Sequence, residues 1–204
     1  MSKADALRKE ANEAVNIGDR AIENLRYIRE TIESSKSFTA VPGYGGILMG
    51  ATALPAAWFA SSQTSIREWL AVWLVEAVLA GTIGLFAMWQ KSKISGLSLL
   101  TGPARKLLVN SFPPIFCAIL ITFGLWRYSQ FELMIPVWIV CYGAAVVCGG
   151  AFSVKPVPVM GWCFLVVGAI SFFMPAGFGN IMMAASFGIL HMAFGFIIGR
   201  RYGG

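Results

Sequence analysis

The hydrophobic pattern changes once along the chain, near residue 37. Before that point apolar positions recur in steps of four and three: Leu7, Ala11, Ala14, Gly18, Ala21, Leu25, Ile28 and Ile32, with charges between them. This is a heptad seam, and it predicts a cytoplasmic amphipathic helix over 1–37. Beyond it polar positions nearly vanish. Six apolar segments follow, at 43–62, 68–89, 108–127, 133–152, 159–176 and 179–199. Each approaches the about 20 residues that cross a hydrocarbon core. The predicted fold is all-α: a six-span transmembrane helix bundle over 43–199 with an N-terminal heptad helix and a short tail at 200–204. The last two spans are parted by Pro175-Ala176-Gly177-Phe178-Gly179, which predicts a tight hairpin turn.

The seam and the bundle meet in Ser37-Phe38-Thr39-Ala40-Val41-Pro42-Gly43. Ser34, Ser35 and Ser37 weaken the helix, and Pro42 pushes Val41 toward extended backbone. Gly43, Gly45 and Gly46 permit angles closed to other residues, so 38–46 is predicted to be an elbow. Just after it, Gly46 and Gly50 form a small-xxx-small pair, as do Gly195 and Gly199 in the last span. That spacing lets membrane helices touch, and packing within one bundle is its expected use.

Composition sharpens this picture. Hydrophobic residues make up 57% and charged residues 13%, and the mean hydropathy is +0.68, far from soluble-domain norms. Residues 1–36 carry seven basic and seven acidic side chains, so the net +6 belongs to the apolar part. No cleavable signal peptide is recognisable, and the first span is expected to act as its own insertion signal. With the N-terminus in the cytoplasm, all of the 16 Lys and Arg residues except Arg67 and Arg127 face inward. The positive-inside rule therefore predicts cytoplasmic N- and C-termini.

The seam also bears on partners. Its apolar positions are small at first and large toward the membrane, at Leu25, Ile28 and Ile32. Its mixed-sign polar face lacks the Lys/Arg dominance of a lipid-surface helix. These three residues are expected to form an oligomer seam, in a homo-oligomer or with partners in a membrane complex. Packing on the protein's own cytoplasmic face is the alternative. The bilayer itself is a partner, and nothing in the chain calls for nucleic acid.

Candidate chemistry is sparse. Cys117, Cys141, Cys148 and Cys163 lack metal-ligand spacing and read as packing residues, so no metal is predicted. No nucleophile–base pair or phosphate loop appears, which argues against an enzyme. Two ionisable residues lie within spans, where each is a functional candidate. Glu76 shares a helical stripe with Trp69 and Trp73, which makes the indoles cation–π candidates. His191 lies on a stripe with Ala184, Gly188, Gly195 and Gly199. Counted at 1.5 Å per residue, both sit near the midplane, so depth allows a contact between them. Each also has a structural reading, as a buried group bonded to a neighbour. No cofactor is predicted, although a lone His191 has the chemistry of an axial ligand to a porphyrin-type group.

Phe38-Thr39-Ala40-Val41-Pro42-Gly43, together with Leu190-His191-Met192-Ala193-Phe194-Gly195 and a basic end, resembles uncharacterised small multi-pass proteins of bacterial genomes. The resemblance implies a bacterial inner-membrane protein and no mechanism. In composition alone, the last hairpin is similar to the Gly/Pro hairpins of acid-resistance membrane proteins. Two function classes follow. The first is a non-enzymatic component, scaffold or sensor in an oligomeric membrane complex. The second is an oligomeric channel or carrier for protons, cations or small lipophilic cations. The dearth of polar residues within the spans favours the first.

Overall fold

The computed structural model describes residues 20, 22–28, 38–96, 99 and 102–203. The chain divides into two units, Met1–Lys36 and Ser37–Gly204. In the first, residues 22–28 are helical, and Leu25 and Ile28 are exposed on them. Ile32 and the seam positions from Leu7 to Ala21 lie outside the described residues.

The second unit is built of helices: α1 (Gly43–Ser61), α2 (Ile66–Ile94), α3 (Gly102–Arg127), α4 (Met134–Gly150), α5 (Pro156–Ser171) and α6 (Gly179–Tyr202). A 3₁₀ turn at Phe131–Leu133 leads into α4. Residues Ala184–Leu190 of α6 are wound as a π-helix, wider than the α-helix on either side. Local signals fit these ends. Ser65 caps α2 by accepting from the Arg67 amide, Lys91 and Lys93 fall in its last turn, and Pro156 opens α5.

Four helices are long and apolar enough to cross a membrane: α2, α3, α4 with its 3₁₀ lead (Phe131–Gly150), and α6. The boundaries depart from the sequence-based spans in instructive ways. Helices α2 and α3 run past the apolar core of their segments, to Ile94 and back to Gly102, because the polar flanking turns have good helix formers such as Lys91, Lys93 and Arg105. Helix α5 stops at Ser171, short of the predicted 176, where Phe172 and Phe173 begin the turn into Pro175.

Large apolar side chains such as Val75, Val78, Ile119 and Phe123 point outward, while the interior combines large side chains, among them Phe164, Met134, Ile139 and Met183, with small ones. Ala53, Ala56, Ala57 and Ala60 of α1 are all buried. An apolar exterior suits a lipid bilayer, in which packing rather than water exclusion joins helices.

Helices α2, α1 and α6 pack side by side, α3, α4 and α5 do the same, and α6 joins the two groups. The α1–α6 seam is made by glycine. A Cβ on Gly46 would lie 3.2 Å from the Gly195 Cα, and one on Gly195 would lie 2.7 Å from both the Gly43 carbonyl oxygen and the Ile47 nitrogen. A Cβ on Gly50 would overlap the Gly188 carbonyl. A second close seam, at Gly143 and Gly161, joins α4 to α5.

The junction differs from the predicted elbow. Only residues 38–42 are non-helical, because Gly43 already begins α1. Positive-φ glycines among the described residues are Gly96, Gly102 and Gly203, so Gly43, Gly45 and Gly46 are not used for unusual backbone angles. Their missing side chains serve contact instead: Gly43 on Gly199, Gly45 on Ala87 and Gly46 on Gly195. Nor is the junction open. The Phe38 amide donates to the Phe152 carbonyl (2.8 Å), and the Ser153 hydroxyl donates to the Phe38 carbonyl (3.1 Å). Phe38 and Ala40 are buried against Ala104 and Leu107 of α3.

Candidate functional site

Four polar clusters involve the candidate residues or the junction, while other polar bonds, such as Trp138 donating to the Thr122 hydroxyl (2.6 Å) and Ser111 to the Ala145 carbonyl (3.1 Å), link α3 to α4. At the end away from the junction, the Trp69 and Trp73 indoles both donate to the Asn180 side-chain oxygen, at 2.9 and 3.3 Å. Trp69 also stacks on Trp138, with ring centroids 5.6 Å apart. Asn180 opens α6, so this cluster ties α2 to α6. The two N–H groups are thus turned to Asn180, and one face of Trp69 is covered by Trp138.

One turn deeper on α2 is Glu76, buried against α1. Its carboxyl oxygen and the Thr52 hydroxyl are 2.9 Å apart, and the same hydroxyl is 2.9 Å from the Met49 carbonyl. The Thr52 hydroxyl is the donor to the Glu76 carboxyl oxygen, so the carboxyl is bonded across a seam between two helices.

His191 occupies a different seam. It follows the π segment directly, and its Nε2 lies 2.7 Å from the Tyr142 hydroxyl of α4. Phe164 and Phe187 enclose the pair, the first edge-on to the imidazole at 5.2 Å and the second stacked at 6.1 Å. Nδ1 is buried and has no hydrogen-bond partner among the described residues. The Nε2 that an axial ligand would offer to a porphyrin is already taken. Glu76 and His191 are not hydrogen-bonded to each other; each closes on its own neighbour.

At the junction end Lys91 gathers three chain segments. Its ammonium donates to the Val41 carbonyl (2.9 Å), the Tyr202 carbonyl (3.0 Å) and the Gly203 carbonyl. The last carbonyls of a helix lack partners within it, so Lys91 caps α6 while holding the junction just before α1. Three donors meet three acceptors.

Of the residues singled out in the sequence, Trp69, Trp73, Glu76 and His191 are buried, and Gly46, Gly50, Gly195 and Gly199 lie along the α1–α6 seam. Leu25 and Ile28 are exposed in the first unit. Asn180, Thr52, Tyr142 and Lys91 were not singled out, although each completes one of these groups. Their common signal is a polar atom on an otherwise apolar or span-ending stretch.

Compared with family models, curated proteins and solved structures, the chain matches none.

Proposed function

We propose that the chain is a non-enzymatic six-span component of the bacterial inner membrane, a scaffold or sensor whose bundle is joined to the charged N-terminal segment through 38–42. Six crossings require α1 and α5 to span as well. At 1.5 Å per residue, the 19 residues of α1 cover about 28 Å and the 16 of α5 about 24 Å. A bilayer thins locally around a short helix at modest cost. Helix α1 packs one face against α2 and α6 and presents Leu48, Trp58 and Phe59 outward, as a lipid-facing helix does. Lys91, Lys93, Arg105, Lys106, Lys155, Arg200 and Arg201 then share the cytoplasmic end with both termini, while Glu68 and Glu132 lie at the other. Exposed Leu25 and Ile28, on a helix that also exposes Ile22 and Tyr27, support a partner there, in an oligomer or a larger complex.

The observation that carries this reading is the closure of the mid-depth polar groups. A channel or carrier needs polar groups that face a common path. Glu76 is bonded to Thr52 in the α1–α2 seam, and His191 to Tyr142 within an aromatic cage. Reconstituted into liposomes, the chain is expected to pass no protons or monovalent cations above the level of empty vesicles under imposed gradients. Glu76→Gln keeps the shape and most hydrogen bonds and should leave thermal stability nearly unchanged. Gradient-driven flux in the parent chain that Glu76→Gln abolishes would replace this reading with the carrier.

A further inference from the structure

The end of the bundle away from the junction holds a cavity of about 370 Å³, within the range of small-molecule sites. Three connections converge on it: the α1–α2 loop, the 3₁₀ turn before α4, and the α5–α6 turn. Its lining residues include the aromatic Trp69, Phe131 and Phe172 together with Glu132, Ser171 and Asn180. No Lys or Arg lines it among the described residues.

Two of these polar groups are left available. Asn180 accepts both indole N–H groups on its side-chain oxygen. An indole nitrogen only donates, so the amide orientation is fixed and Nδ2 is turned away from the indoles. That nitrogen has no partner among the described residues, yet it is not a buried unsatisfied atom, so it is accessible. Glu132 is exposed, and no cation pairs with it among the described residues. An unpaired carboxylate at the rim of an aromatic cavity without basic groups favours one class of occupant. A cation gains Coulombic attraction from the carboxylate and attraction from the aromatic faces, and its apolar body is buried against those same faces.

We propose that this cavity is a binding site for small organic monocations, primary or quaternary ammonium compounds with an aromatic or alkyl body, with Glu132 as the counter-charge and Asn180 as a second polar contact. The site is separate from Glu76, which does not line the cavity. It also stands whether the protein is a component or a carrier, since binding requires no path across the bundle.

The test uses the full chain in phosphatidylcholine nanodiscs, whose lipid carries no net charge. Phenethylammonium is titrated in parallel with 2-phenylethanol, a neutral molecule of the same shape, and binding is followed calorimetrically. Saturable binding of the ammonium is expected, tighter than the alcohol by at least about tenfold. Glu132→Gln, an exposed substitution that should leave thermal stability unchanged, is expected to abolish that preference and leave weak, equal binding of the two. Absence of saturable ammonium binding at millimolar concentration would overturn the proposal. So would a preference for the cation that survives Glu132→Gln.

Discussion

Gly195→Leu is expected to prevent the first and last helices from closing on each other. The atoms that a Cβ at residue 195 meets are backbone, the Gly43 carbonyl oxygen and the Ile47 nitrogen, each 2.7 Å away. A flexible side chain would swing aside, but backbone in a helix cannot move without moving the helix. Overpacking of this kind costs about 3 kcal/mol or more, and the extra branched carbons of Leu have no void to enter. The expected result is loss of the folded, monodisperse protein in mild detergent. Gly199→Ala provides the internal contrast. Its Cβ would lie 3.7 Å from the Gly43 Cα, an ordinary contact, and Ala is the better helix former. That variant should match or exceed the parent in thermal stability, by up to about 1 kcal/mol. Equal tolerance of both substitutions would mean that α1 and α6 do not meet along this face.

Lys91→Met should have the next largest effect, and a local one. Methionine keeps an apolar stem of similar length but removes three charge-assisted bonds to the carbonyls of Val41, Tyr202 and Gly203. Hydrogen bonds to charged groups contribute roughly 1.5–3 kcal/mol each, and three on one ammonium do not simply add. A net loss of about 3 kcal/mol is a reasonable expectation. Its location matters more than its size. Amide exchange should accelerate in peptides covering 38–42 and 200–203, where the anchor is lost. Peptides around Trp69 and Asn180, at the other end of the bundle, should exchange as in the parent. Unchanged exchange at the junction would show that Phe38, through its bonds to Phe152 and Ser153, holds it without Lys91.

Much of the helical framework was legible in the sequence, because apolar runs of membrane length have few other uses. Helices α2, α3, α4 and α6 follow directly from that signal. Helix α1 reads as a span at 43–62, although its glycines dilute its hydropathy. The same residues that weaken the membrane signal make the α1–α6 seam possible. Gly43 and Gly45 read in sequence as sources of backbone freedom, whereas they serve close contact; for Gly46, the small-xxx-small spacing with Gly50 points to the contact it makes. Glu76 and His191 stand out because ionisable residues in apolar runs are few. Their partners do not. Thr52 and Tyr142 lie 24 and 49 positions away along the chain, and neither residue type is rare in a membrane helix. Lys91 reads in sequence as one more positive charge at a span end, and only the return of α6 to the same place gives it three carbonyls to hold. The cavity is the least legible feature of all, because it is assembled from three turns with no motif in common.

The proposed membrane role rests on six crossings with the junction in the cytoplasm. Two-sided cysteine labelling tests this most directly. In a background with Cys117, Cys141, Cys148 and Cys163 replaced, single cysteines at Thr64, Ser95, Gln130 and Lys155, all exposed positions in connections between helices, would be probed with a membrane-impermeant maleimide. Thr64 and Gln130 are expected to react from outside intact cells, whereas Ser95 and Lys155 should react only after the cytoplasmic face is opened. Labelling of Ser95 or Lys155 from outside would contradict the orientation. Thr64 and Ser95 reacting from opposite faces while Lys155 and Gln130 react from the same one would contradict the six crossings.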